Sequence, residues 1–166
     1  MKLRYLLTIL FSTTCLIASS QEYSGAVGLR GGISSGITYR QFLDQEISLE
    51  TIVSFRRGGL QVSLLRERFR PAFLEFSDNM ILGFGFGGHV GFMYTDHQQF
   101  MFEDYYYDEK IFLPLIGVDG YFGIEYIFRE FPMAISLDCK PFFELNVKGL
   151  VQLNPFDIGI AIKYWF

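Results

Sequence analysis

The chain has 166 residues, 18 Asp+Glu against 14 Lys+Arg, a pI near 5.2 and 50% hydrophobic residues. That apolar content excludes intrinsic disorder, the acidic balance argues against a nucleic-acid binder, and two cysteines are too few for a disulfide scaffold. Charged residues make up only 19%, against about 25% in an ordinary soluble domain, while 19 Phe and 10 Tyr stand beside 17 Gly.

The chain begins with an address. Lys2 and Arg4 give a basic start, an apolar stretch follows from Tyr5 to Phe11, and Ala18-Ser19-Ser20 supplies small residues before Gln21. This is the pattern of a secretory signal peptide over 1–20, too short to anchor in a membrane. The rival, a lipoprotein signal with Cys15 lipidated, is disfavoured because Ser12-Thr13-Thr14 lacks the apolar residue expected three positions earlier. Cleavage leaves 21–166 as one domain with a single cysteine, Cys139, and hence no internal disulfide.

Beyond residue 20 no apolar run reaches the roughly 18 residues of a membrane helix. The pattern has a period of two instead. Val27 and Leu29 oppose Gly28 and Arg30; Ile37 and Tyr39 oppose Thr38 and Arg40. Leu49, Thr51, Val53 and Phe55 oppose Glu50, Ser54 and Arg56. Leu60, Val62 and Leu64 oppose Gln61 and Ser63, after which Arg66, Arg68 and Arg70 fall on the apolar parity, so a bulge or a strand leaving the apolar layer is expected there. Over 80–94 large apolar residues alternate with glycines and His89, and the segments 114–128, 133–145 and 156–166 alternate in the same way. Eight strands follow, at about 23–33, 35–43, 47–57, 59–69, 79–95, 110–128, 132–146 and 156–166. Their links are short, apart from a long loop at 95–110, which predicts an all-β, eight-stranded antiparallel up-and-down barrel.

Alternation alone does not say which face meets water. A solvated face is rich in Lys, Glu and Gln, whereas the polar parity here is mostly Gly, Ala, Ser and isolated charges, suited to the cramped interior of a small barrel. Those charges are Arg30, Arg40, Arg56, Lys140 and Lys163 against Glu50, Glu67, Asp119, Glu125, Asp138, Glu144 and Asp157, a set able to pair across a narrow lumen, with His89 beside them. Aromatics gather at strand ends: Tyr126, Phe128, Tyr164 and Phe166 at one rim, and Phe92, Tyr94, Phe143 and Phe156 at the other. Such girdles belong at membrane–water interfaces, so the barrel is expected to be transmembrane.

With its signal peptide, its alternating strands over 23–166 and its final segment Ile158-Gly159-Ile160-Ala161-Ile162-Lys163-Tyr164-Trp165-Phe166, the chain resembles small bacterial outer-membrane β-barrels of the OmpA/OmpX-like class. In that class the last strand ends in an aromatic with apolar residues at alternate positions before it, and Ile160, Ile162, Tyr164 and Phe166 match. The resemblance implies a Gram-negative outer-membrane location, periplasmic termini, and recognition of those four residues by the barrel-assembly machinery. It also puts 32–35, 57–59, 95–110 and 147–155 outside the cell.

Chemical motifs are weak. Gly83-x-Gly85-x-x-Gly88 fits a dinucleotide fingerprint, but that fingerprint needs a helix after it, and these glycines alternate with Phe84 and Phe86 inside a strand. His89 is expected to point inward and bond a lumen carboxylate; His97 lies in the long loop with no serine near it, so catalysis on lipids finds little support. Asp96, Glu103, Asp104, Asp108 and Glu109 make that loop acidic, and its tyrosines suit a protein contact better than the carboxylates suit a metal. The expectation is a non-enzymatic barrel with a filled lumen and no cofactor, embedded in lipid. Its role would be structural or that of a surface-interaction platform through 95–110, toward an extracellular protein. A narrow porin-like channel, a lipid-modifying barrel enzyme and a soluble lipocalin-like barrel are the alternatives.

Overall fold

The structure is a computed structural model that describes residues 23–56, 58–72, 79–100, 103–146 and 151–166; for 95–100, 103–110 and 151 it describes the backbone alone. The segment 1–20 therefore lies outside the described residues. Ten strand segments occur: β1 (Gly25–Gly32), β2 (Ser35–Phe42), β3 (Ile47–Arg56), β4 (Gly59–Pro71), β5 (Met80–Phe100), β6 (Glu103–Ile127), β7 (Met133–Cys139), β8 (Phe142–Asn146), β9 (Val151–Asn154) and β10 (Ile158–Trp165). Each of β1 to β5 pairs antiparallel with the next, β5 with β6, β6 with β7, β7 with β10, and β10 with β1, which closes an eight-membered ring. β8 and β9 carry the seventh and eighth strands onward, β8 against β6 and β9 against β8.

The closure has a measurable stagger. From Leu29 one way round, the paired residues are Ile37, Val53, Val62, Val90 and Ile116. The other way they are Ile162, Ile135 and Tyr126. The two paths meet β6 ten residues apart, at Ile116 and Tyr126. A stagger of this kind requires strands inclined to the barrel axis, typically by about 35–45°. Every residue on the path is apolar or Tyr, and Leu29, Ile37, Val90, Ile116 and Ile162 are exposed, so one spiral round the outside is unbroken by charge.

The alternation in the sequence is an alternation of burial: β1, β3, β4 and β10 each bury every second residue along most of their length. The buried set is mostly polar and the exposed set mostly apolar. Leu29 is 67% exposed and Phe86 68%, whereas Arg40, Glu67, Lys140 and Asp157 are 0% exposed.

Three expectations need correction. The fourth strand has no bulge: β3–β4 runs in unbroken register to Arg68 and β4–β5 through Arg66, Arg68 and Arg70, all three exposed on the outer face. The segment 95–110 is no simple loop, because β5 and β6 continue as a paired arm to Phe100 and Glu103, with one register shift between Thr95 and His97. The last two strands are interrupted. Between β7 and β8 stand Lys140 and Pro141; proline brings no N–H to the ladder, and Lys140 N donates instead to Asp157 O at 2.9 Å. The tight turn between β3 and β4 uses Gly58 at φ 77°, a conformation costly for residues with a Cβ.

All the connections fall at two ends. The first and last described residues, the ends of β2 and β3 and of β4 and β5 that face each other, and the turn at 128–132 share one; the β1–β2 turn, the ends of β3 and β4 at Arg56 and Gly59, the β5–β6 arm and the ends of β8 and β9 share the other. At the terminal end Ser24 N and Gly25 N donate to Phe166 O (2.9 and 3.0 Å) and Phe166 N donates to Gly25 O (2.9 Å), continuing the β1–β10 seam. Tyr126, Phe128 and Phe131 cluster at this end, and Phe92, Tyr94 and Phe112 toward the other.

Candidate functional site

The barrel interior is a stack of ion pairs. Nearest the terminal end, β2 supplies Arg40, β3 Glu50, β4 Glu67, β6 Glu125 and β10 Lys163. Arg40 reaches Glu50 (2.6 Å), Glu125 (2.8 Å) and Glu67 (3.2 Å). Lys163 adds Glu50 at 2.9 Å and Glu125 at 3.7 Å. Two cations thus hold three carboxylates from three other strands. The Arg40 guanidinium also lies 4.6 Å from the centre of the inward Phe69 ring, an arrangement that favours the cation electrostatically. Phe42 and Trp165, 4.9 Å apart, occupy the terminal end itself.

Farther along, Arg30 binds Asp138 at 2.6 Å and Asp157 at 3.4 Å, and donates through Nη1 to Ser34 O and Oγ. Ser34 Oγ donates in turn to Asp157 Oδ2 at 2.5 Å. Lys140 stands between this group and the next, 3.6 Å from Asp157 and 3.5 Å from Asp119. Then come His89, whose Nδ1 is 2.8 Å from Asp119 Oδ1, and Arg56, 2.7 Å from Glu144. Arg56 and Lys140 flank the Phe142 ring. Beyond Arg56, Met93, Leu113 and Leu115 form an apolar cluster.

Each lumen residue expected from parity (Arg30, Arg40, Glu50, Arg56, Glu67, His89, Asp119, Glu125, Asp138, Lys140, Glu144, Asp157 and Lys163) is at most 7% exposed. The structure brings them into two networks, one of Arg40, Glu50, Glu67, Glu125 and Lys163, the other of Arg30, Asp138, Asp157, Lys140, Asp119, His89, Glu144 and Arg56. The expected lumen set leaves out uncharged members: Ser34 and Ser48, and also Gln61 and Ser63, which parity places opposite the apolar face; all four are buried. Ser48 donates to Glu67 (3.2 Å), and Ser63 Oγ receives bonds from Gln61 (3.2 Å) and Lys140 (3.5 Å). Inward spacing was the signal available for them; small hydroxyls add no charge to make it conspicuous. The residues expected to serve as an assembly signal, Ile160, Ile162, Tyr164 and Phe166, are exposed on the outside.

Buried charges persist when paired and hydrogen-bonded. Such pairs add little net stability over apolar packing, yet losing one partner is expensive. The interior is correspondingly tight. A Cβ built on Gly159 would lie 2.6 Å from Arg30 Cζ and 2.7 Å from Nε. That guanidinium is the end of a long side chain, but Asp138 and Ser34 pin it. Gly159→Ala should therefore destabilise the barrel by about 1–3 kcal/mol in denaturant unfolding. Gly31→Ala, where nothing lies within 4 Å, should change stability by no more than about 0.5 kcal/mol.

The chemistry of the interior is electrostatic. His89 pairs with Asp119 through Nδ1, and its other nitrogen, Nε2, faces Glu144 Oε2 at 3.4 Å. Among the described residues no group of three His, Cys, Asp or Glu is arranged to hold a metal ion. Gly83, Gly85 and Gly88 lie within β5, paired on both sides, with no helix after them to receive a phosphate. The side chains of His97 and of the acidic segment lie outside the described residues. Compared with family models, curated proteins and solved structures, the chain matches none.

Proposed function

We propose that this chain is a non-enzymatic integral outer-membrane β-barrel protein of a Gram-negative bacterium, resembling the OmpA/OmpX-like class. Its interior is filled, its termini are periplasmic, and it acts as a structural element or as a surface-interaction platform through the β5–β6 arm. The observation that carries this reading is the inverted distribution of polarity. Residues that seek water are inside, and Leu29, Ile37, Phe55, Phe86, Val90 and Ile116 are outside. A monomeric soluble protein rarely exposes contiguous apolar area beyond a few hundred Å², and here such residues recur on strand after strand. Hydrocarbon is the solvent such a surface suits. Closure supports the same conclusion, since in lipid every backbone polar group must be satisfied internally. The two aromatic clusters lie toward opposite ends, as interfacial girdles do. Lipid insertion would run through the barrel-assembly machinery, with Ile160, Ile162, Tyr164 and Phe166 as the strand it reads. The arm, carrying Tyr105, Tyr106 and Tyr107, would meet a protein partner outside the cell.

The test is fractionation. The expressed chain should sediment with outer membranes, require detergent for extraction, and migrate differently in gels with and without heating. A folded chain recovered from the periplasm without detergent overturns the reading.

A further inference from the structure

Among the described side chains of the strands, outward-facing charge falls at one place, on β4. Arg66, Arg68 and Arg70 project from the outer face of β4 toward its terminal end, at alternate positions and hence about 7 Å apart. Their ladder neighbours on β3 and β5 are Leu49, Ile47, Phe86, Phe84 and Leu82, none of them charged. Glu67, between the first two, turns inward to Arg40. No ion pair joins any of the three arginines to another described residue, in a molecule whose interior cations are paired. Beside them an open groove of about 410 Å³ is lined by Ile47, Arg66, Glu67, Arg68, Phe84, Gly85 and Phe86. An arginine against bare hydrocarbon is costly, and three in a row on an otherwise apolar face need a counter-charge that lies in the same surface.

We infer that this face is a binding site for an anionic phospholipid. The lipid phosphodiester sits among the arginines, which bend toward the membrane interface to reach it, and its acyl chains lie along Phe84, Phe86 and Ile47. Guanidinium forks match phosphate oxygens in geometry and charge, while the groove gives the chains an apolar bed. The inference rests on the membrane reading, and it names the leaflet: the terminal end, which that reading makes periplasmic.

The experiment uses the full mature chain folded into nanodiscs of phosphatidylcholine containing one-fifth phosphatidylglycerol. Lipids retained after transfer to mild detergent are counted by native mass spectrometry, for the wild type and for Arg66→Gln/Arg68→Gln/Arg70→Gln. The wild type should retain phosphatidylglycerol in preference to phosphatidylcholine. At about a fivefold contribution per arginine, the triple variant should lose about a hundredfold of that preference while folding normally by heat-shifted migration. Equal retention of the two lipids by the wild type, or undiminished preference in the triple variant, overturns the inference alone. Failure of the chain to enter the discs overturns it together with the membrane reading. A dimer in pure phosphatidylcholine discs that the triple variant loses assigns the face to a second copy instead and equally overturns the lipid site.

Discussion

Arg40→Met should destabilise the folded barrel by about 3–5 kcal/mol, the usual cost of removing one partner from a buried ionic cluster. Arg40 is the hub of its group: Glu50, Glu67 and Glu125 all lie within 3.2 Å of its guanidinium. Without it, Lys163 still meets Glu50 and Glu125, but Glu67 loses its ion pair and keeps the hydroxyl of Ser48 at 3.2 Å and the neighbouring Glu50 carboxyl. The methionine fills much of the volume and packs against Phe69, so the loss measured is one of charge rather than of space. Adding Glu67→Gln to the variant removes the carboxylate left unpaired. The double variant should recover part of the loss, a coupling that a double-mutant cycle in urea-titrated vesicles would read directly. If Arg40→Met costs less than about 1 kcal/mol, the interior is hydrated and open rather than filled.

Ile160→Arg should be the second damaging change, and for the opposite reason. Ile160 is 58% exposed, between Leu137 on β7 and Gly31 on β1. On a water-soluble protein, arginine at so open a position changes stability by no more than about 0.5 kcal/mol. Facing the middle of a bilayer it costs about 2–4 kcal/mol. Folding yield into vesicles and the urea midpoint would both fall. An unchanged midpoint would mean that this face meets water.

Parity made the architecture legible because the interior is narrow enough for every inward position to matter. Asp138, Lys140 and Glu144 share one parity across the β7–β8 interruption, and Asp157 and Lys163 share theirs along the last strand, so the inward set could be assigned strand by strand. Partner choice could not. Arg40 and Glu125 are 85 residues apart and meet only because the ring closes with its ten-residue stagger, a property of the whole sheet that no local pattern carries. On β4, local pattern misled. Arginines at 66, 68 and 70 suggest a bulge or a strand leaving the apolar layer; the bulge is excluded, because Leu65, Glu67 and Phe69 remain inward and the register with β5 never slips. Charge there marks an outward feature. The arm misled for a related reason. Its acidic residues resemble a solvated loop, yet backbone pairing from His97 with Tyr106 to Phe100 with Glu103 continues the hairpin, which needs no buried face to form its ladder.

We propose that the outer belt faces acyl chains. Trp165 is the only tryptophan, so Trp165→Phe with Ile160→Trp leaves one fluorophore in the middle of that belt. Quenching of this tryptophan in vesicles should be strong with lipids brominated on their acyl chains and negligible with aqueous iodide. Strong iodide quenching with no effect of the brominated lipids would contradict the account.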